Sequence, residues 1–206
     1  MASRCIYIVD DDKLVREGLQ FLLSTQPDLL VFPCRSGDDF LSGIEDKPGG
    51  CVLLDYKMPG TSGLEVLRQV AEMKPKFATI MLTGQGEISI AVQALKLGAF
   101  DFLEKPCNPA VLIHVVEQAC TALEQDQRAQ SVVQDARDTI ARLTPRERDV
   151  LAGLLEGRAN KAIGYDLDIS PRTVEIHRAN LMDKLGVRSL SEALRIAISA
   201  GFSVPA

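Results

Sequence analysis

A run of three apolar residues that ends in a carboxylate, Val52-Leu53-Leu54-Asp55, followed by Tyr56-Lys57-Met58-Pro59-Gly60, places the tightest constraint on this chain. The apolar residues do not alternate with polar ones, which is the pattern of a strand covered on both faces. Asp55 stands where that strand ends, in a loop closed by proline and glycine. In open parallel sheets ligands bind beyond the carboxyl ends of the strands, so a carboxylate there is placed for chemistry. Taken alone, Asp55 could equally cap the following turn.

The flanking pattern decides between these. Residues 5–9 form a strand-like run that ends in Asp10-Asp11-Asp12, and residues 13–24 carry Leu14, Leu19, Leu22 and Leu23 near one helical face. A strand over 29–32 and a helix over 38–44 precede the central stretch. After it, Ser62 and Glu65 have the spacing of a capping box and open a helix that runs to about Glu72. A strand over 79–82, a helix over 88–97 stopped by Gly98, a strand over 100–103 and a helix from Pro109 to about Leu123 complete the series. Five alternating strand-helix units predict a doubly wound, flavodoxin-like five-stranded parallel sheet with helices on both faces.

With 206 residues there is room for two domains, each with its own core. The composition, 46% hydrophobic and 25% charged, is globular, and no apolar run approaches the roughly 20 residues of a membrane span. The first residues are too acidic and too short in apolar content for a signal peptide, so a cytoplasmic protein without membrane contact is expected. Five scattered cysteines without a C-x-x-C pair suggest neither disulfides nor a zinc site. Residues 143–206 hold nine Lys/Arg against eight Asp/Glu, so with −5 overall the first 142 residues carry −6. That asymmetry alone does not argue for nucleic acid.

Asp10 and Asp11, Asp55, Thr83 and Lys105 all follow strands and therefore gather at one edge of the sheet. Three carboxylates in one pocket repel one another unless a cation neutralises them, and an all-oxygen site suits Mg²⁺. With an ammonium and a hydroxyl beside them, they form a set able to stabilise a phosphoryl group moving onto a carboxylate. The acidic pair, D-Y-K-M-P-G, L-T-G and F-L-E-K-P together resemble a response-regulator receiver domain over residues 1 to about 122. The resemblance implies that Asp11, Asp55 and the Lys57 carbonyl ligate Mg²⁺ directly and that Asp10 acts through water. It implies further that Asp55 accepts the phosphoryl group, Lys105 pairs with it, Thr83 moves in to bond it, and Phe102 is an aromatic switch. A cis Lys105-Pro106 bond is part of the same likeness. Gly84-Gln85-Gly86 lacks the lysine and the glycine pattern of a phosphate-binding loop, and reads as an ordinary loop. His114 reads as a packing or surface histidine.

Residues 123–142 contain no proline or glycine and predict a solvated helical linker, with Val132, Val133, Ala136 and Ile140 as a thin apolar edge. Leu143-Thr144-Pro145-Arg146-Glu147 is a dense helix-start signal and opens an all-α domain over 143–206. Its four helices are expected over 145–155, 161–167, 171–185 and 190–200, with a short Asp168-Ile169-Ser170 turn between the second and third. That is helix-turn-helix geometry. On the third helix Val174, Leu181 and Leu185 should face the core, and Arg172, Glu175, Ile176 and Ala179 a groove. The runs L-T-P-R-E-R-D-V-L, N-K-A-I and S-P-R-T-V-E-I-H-R-A-N-L-M-D-K-L resemble the LuxR-type DNA-binding domain. The whole layout is similar to the FixJ and NarL group of transcription regulators. This implies Asn160, Lys161, Arg172, Arg178 and Lys184 as phosphate-contact candidates, with Glu175, Ile176 and Ala179 facing bases. The expected partners are a histidine kinase, double-stranded DNA, a second copy on phosphorylation, and RNA polymerase. Two rivals are a phosphotransfer enzyme that turns over a small phosphate ester, and an interaction protein whose helical domain binds protein. Turnover would mark the first, and absence of salt-dependent duplex binding the second.

Overall fold

In the computed structural model, which describes residues 3–73, 75–84 and 87–203, the first half alternates strand and helix. The elements are β1 (Arg4–Val9), α1 (Lys13–Ser24), β2 (Leu29–Cys34), α2 (Gly37–Leu41), β3 (Gly50–Asp55), α3 (Gly63–Glu72), β4 (Phe77–Thr83), α4 (Ile88–Lys96) and β5 (Asp101–Glu104). They form one parallel sheet in the order β2-β1-β3-β4-β5. Residues of β1 and β3 alternate between two apolar clusters: Tyr7, Val9, Val52 and Leu54 pack with Phe40, Val66 and Val70. Ile6, Ile8, Cys51 and Leu53 pack with Leu23, Leu112 and Val116 on the other side. Both faces are therefore covered, which explains why the central strands read as continuous apolar runs.

The strand order reverses between β1 and β3, and the crevice at such a switch point lies beyond the strand ends. Asp12 caps α1 by accepting from the Leu14 and Val15 amides at 2.8 and 3.3 Å. Glu65 closes the box at α3, accepting the Ser62 amide at 2.8 Å and its hydroxyl at 2.7 Å. Some bounds differ from expectation. The second strand continues through Pro33 to Cys34, which its edge position allows because no outer neighbour needs the missing amide. The second helix is shorter than predicted, ending at Leu41. Gln85 and Gly86 of the glycine loop lie outside the described residues.

Helix α5 runs unbroken over Pro109–Ala141, so the stretch expected as a helical linker is helical and continuous with the helix expected to end near Leu123. Compact packing divides the chain into Met1–Gln127 and Arg128–Ala206. The apolar edge has a use: Ala136 and Ile140 are buried, Ile140 in the core of the second unit, whereas Val132 stays exposed.

The second unit adds α6 (Pro145–Leu155), α7 (Asn160–Asp166), α8 (Pro171–Leu185) and α9 (Leu190–Ser199). Helix α8 packs on α6, α7 and α9 through Val174, Leu181 and Leu185, which share a core with Val150, Leu151, Ile163 and Ala193. The turn before α8 places Asp168 at φ 54°, a left-handed conformation that aspartate tolerates better than most side chains. Ser170 caps α8, accepting the Thr173 amide at 3.0 Å.

Lys184, a phosphate-contact candidate, is exposed and bonds its ammonium at 2.8 Å to the buried carboxylate of Glu147. The same Glu147 oxygen accepts the Thr144 amide at 2.8 Å, so one residue caps α6 and ties it to α8. Burial pushes the Glu147 carboxyl up, and the Lys184 ammonium with the Thr144 donors outweighs it, leaving the net value below the usual carboxylate range. A carboxyl depressed in the folded state stabilises the fold above its unfolded pKa, and that contribution is lost as pH falls through the folded value.

Two outcomes follow from this packing. A Cβ on Gly63 would sit 2.2 Å from the Asp55 carbonyl oxygen, a backbone atom that cannot rotate away. Gly63→Ala should therefore destabilise the first unit by roughly 1–3 kcal/mol, read as a lower urea midpoint. Lys184→Ala should destabilise the second unit at neutral pH by roughly 1–3 kcal/mol. Its deficit against the wild type should shrink as pH falls through the lowered Glu147 value and that carboxylate protonates. A deficit independent of pH would assign the loss to packing of the lysine stem instead.

Candidate functional site

The pocket at the switch point is assembled around one ammonium. Lys105, just past β5, places Nζ 2.6 Å from Asp10 Oδ2 and 2.5 Å from Asp55 Oδ1. Asp10 follows β1 and is fully buried, and Asp55 ends β3 and is nearly so. The lysine reaches them across β4, and its backbone amide donates to the Thr83 carbonyl at 2.8 Å. The Lys105-Pro106 bond is cis, as the resemblance led one to expect. Two further contacts hold Asp10: Oδ1 accepts the Asp12 amide at 2.9 Å, and its carbonyl accepts Arg16 Nη1 at 2.6 Å.

Opposing electrostatic effects meet at Asp55 and Lys105. Burial raises the Asp55 carboxyl above its ordinary value, and Lys105 opposes that rise without cancelling it, while Asp10 and Asp11 add to it. Burial also works against the Lys105 ammonium, and its two carboxylate partners outweigh burial, so its pKa is raised. One lysine thus faces three carboxylates.

Asp10, Asp11 and Asp55 can each offer an oxygen within 4.8 Å of the others. Asp11 is exposed, which opens this trio to solvent on one side. A hard, all-oxygen donor set with surplus negative charge and a solvent-facing side fits Mg²⁺ better than a thiolate- or imidazole-binding metal. Thr83 ends β4 and is buried, whereas Phe102 on β5 is exposed. The Lys57 side chain reaches away from the trio to Glu87 at 2.5 Å, and Glu87 also accepts the Gly84 amide at 3.0 Å. This bridge between the loops after β3 and β4 had no signal in the sequence, because Lys57 and Glu87 lie in different loops and Glu87 belongs to no motif.

In the second unit Arg172, Glu175, Ile176, Ala179, Asn180 and Asp183 form an exposed stripe on α8 opposite Val174, Leu181 and Leu185, and Pro171 and Lys184 are exposed as well. Arg172 Nη1 donates to Glu175 at 3.0 Å. Arg178 lies at the margin and donates to Asn160 Oδ1 at 2.7 Å, joining α8 to the start of α7. Lys161 is exposed in the first turn of α7. Asn180 was missed by sequence reasoning, although its spacing of four from Ile176 places it on the same face. Tyr165 on α7, with 87% of its surface exposed, was missed as well.

Comparison with known proteins supports both halves. Residues 6–117 match the response regulator receiver domain and residues 141–197 the bacterial regulatory proteins of the luxR family. The chain is 42% identical to the transcriptional regulatory protein FixJ of Bradyrhizobium diazoefficiens, over 95% of each. It is also 42% identical to FixJ of Rhizobium meliloti, over 98% of each. Among solved structures, the response regulator StyR superposes with a TM-score of 0.87 at 34% identity, over 96% of this chain and 99% of that one. Full-length FixJ from B. japonicum gives 0.60 at 40% identity, over 98% of each. A receiver sheet with its acidic crevice, joined in one chain to a LuxR-type helical domain, is thus shared along nearly the whole length with FixJ. The chain belongs to the FixJ-like two-component response regulators, which act as transcription regulators.

Proposed function

We propose that Asp55 is the phosphoacceptor of this regulator and that its phosphorylation promotes pairing of two copies on DNA. The observation that carries the reading is the Lys105 ammonium shared between Asp10 and Asp55 at the switch point. A histidine kinase supplies the phosphoryl group. The nitrogen–phosphorus bond of its phosphohistidine breaks, that nitrogen keeps the electron pair, and an Asp55 carboxylate oxygen forms the new bond to phosphorus.

Asp10, Asp11, Asp55 and the Lys57 carbonyl are the residues that would hold Mg²⁺, Asp10 through water. When bound, the ion supplies positive charge to the phosphoryl oxygens. Lys105 shifts from the carboxylate to a phosphoryl oxygen, and the Thr83 hydroxyl donates to another. Movement of Thr83 frees space for the Phe102 ring to turn inward, which alters the surface formed by β5 and α4. Val92, Leu95 and Phe102 are exposed there and support this surface as the pairing face.

In the second unit α8 enters the major groove. Asn160, Lys161 and Arg178 approach phosphates, while Arg172, Glu175, Ile176, Ala179 and Asn180 face base edges. Lys184 bonds Glu147 at 2.8 Å and, still exposed near the end of α8, stays a phosphate-contact candidate beside them. Among the described residues no helix is long and apolar enough to cross a membrane. A cytoplasmic regulator that meets RNA polymerase at its promoters is the setting this reading implies.

Two outcomes are expected. Asp55→Asn should gain no phosphoryl group from acetyl phosphate in Mg²⁺, as measured by intact mass, while the wild type gains one. A labelled mutant would move the acceptor to another residue. Wild-type protein treated with beryllofluoride and Mg²⁺ should sediment as a dimer where untreated protein does not, and Val92→Asp should restore the untreated behaviour. Equal masses with and without beryllofluoride would remove pairing from the mechanism.

A further inference from the structure

The N-terminal end of the exposed stripe of α8 carries a cation, Arg172, and that cation is held by Glu175 at 3.0 Å. Both side chains are open to solvent, 83% and 51% exposed, so the contact is made on the surface that would meet the duplex. Arg172 is the second residue of the helix, and the first turns of a recognition helix are the part that meets base edges. Beyond the pair the stripe becomes apolar at Ile176 and Ala179, then polar and acidic at Asn180 and Asp183.

An acidic side chain on a face that approaches phosphates is repelled unless a cation accompanies it or a donor receives it. Arg172 is that cation. A lone, fully hydrated arginine samples many rotamers, whereas one fixed at Nη1 keeps its planar fork in a single orientation with further N–H groups still available. In water such an ion pair is weak, and exclusion of water in the groove strengthens it.

We infer that Arg172 and Glu175 read DNA as one unit: Glu175 is a positioning residue that holds the Arg172 guanidinium against guanine O6 and N7, and its carboxylate admits beside that guanine only a base offering an amino group. The favoured neighbour is cytosine through N4 or adenine through N6. The oxygens of thymine or of a second guanine at the same place meet the carboxylate acceptor to acceptor and are rejected. This rests on the proposed role of α8 as the groove helix. It differs from two independent contacts in a measurable way, since removing Glu175 then disturbs the base read by Arg172.

The test is selection from randomised duplexes by the full chain with beryllofluoride and Mg²⁺, for wild type, Glu175→Ala, Glu175→Gln, Arg172→Ala and the double alanine variant. Because these positions are exposed, the variants should fold, and their circular dichroism and melting serve as the check. The expected result is a guanine selected by the wild type and weakened roughly tenfold by Arg172→Ala. Glu175→Ala should produce a similar loss at the same guanine, the double variant should add little, and Glu175→Gln, which still offers an accepting oxygen, should restore part of the preference. Retention of the guanine preference in Glu175→Ala, or a change confined to a position that Arg172→Ala leaves alone, would overturn the coupling while leaving α8 as the reader. A wild-type chain that selects no sequence would overturn the groove reading itself.

Discussion

The receiver half depends on a lysine that reaches back across the sheet. Asp10 and Asp55 end adjacent strands, β1 and β3, and two carboxylates that close and that buried cannot both remain charged without a counter-ion. Among the described residues, the cation bonded to both is Lys105, which enters from β5 with β4 intervening. The pocket is therefore complete only when the last strand of the sheet has docked, so the integrity of the whole sheet is a condition of the chemistry. The same ammonium opposes the rise that burial imposes on the Asp55 carboxyl and lies within reach of whatever is attached to Asp55 later.

Three carboxylates in this chain take their meaning from the cation they meet. Asp55 meets Lys105, Glu147 meets Lys184, and Glu175 meets Arg172. The first pair defines a reactive pocket, the second a helix cap tied to a neighbouring helix, and the third an exposed surface feature. Burial separates these cases more sharply than residue type does, because a buried carboxylate without its partner is costly and an exposed one is not.

The fold was legible where burial leaves a pattern on neighbouring residues. The apolar runs of β1, β3 and β4, the boxes at Ser62 and Thr144, and the glycine after α8 all act within a few residues, and each marked its element. The loss of legibility came with sequence separation. The partners of Lys105 lie 50 and 95 positions away, and strand-end positions brought them only to the same sheet edge, while the pairing of Lys105 with a phosphorylated Asp55 came from the family likeness. Lys184 and Glu147 are 37 apart, and no local pattern marks this lysine as the partner of a buried carboxylate. The Lys57–Glu87 bridge was invisible for the same reason. Residues 123–142 misled in another way: Ala136 and Ile140 looked like a thin edge because the surface they cover is supplied by residues farther along the chain.

Helix α5 changes how the molecule can be divided. Composition and capping signals place a seam at Leu143-Thr144, yet Ala136 and Ile140, before that seam, are among the buried side chains, and Ile140 belongs to the same cluster as Leu151 and Leu181. A fragment begun at the motif would carry all four output helices and still expose a hole in its own interior. The receiver, likewise, extends past its last recognisable motif, since Glu124 pairs with Arg4 at 2.7 Å and Gln127 donates to the Pro75 carbonyl at 3.1 Å. One uninterrupted helix thus supplies the final wall of one core and the first wall of the next. The natural joint of the protein is a point along its axis, marked by no proline, glycine or break in hydrogen bonding.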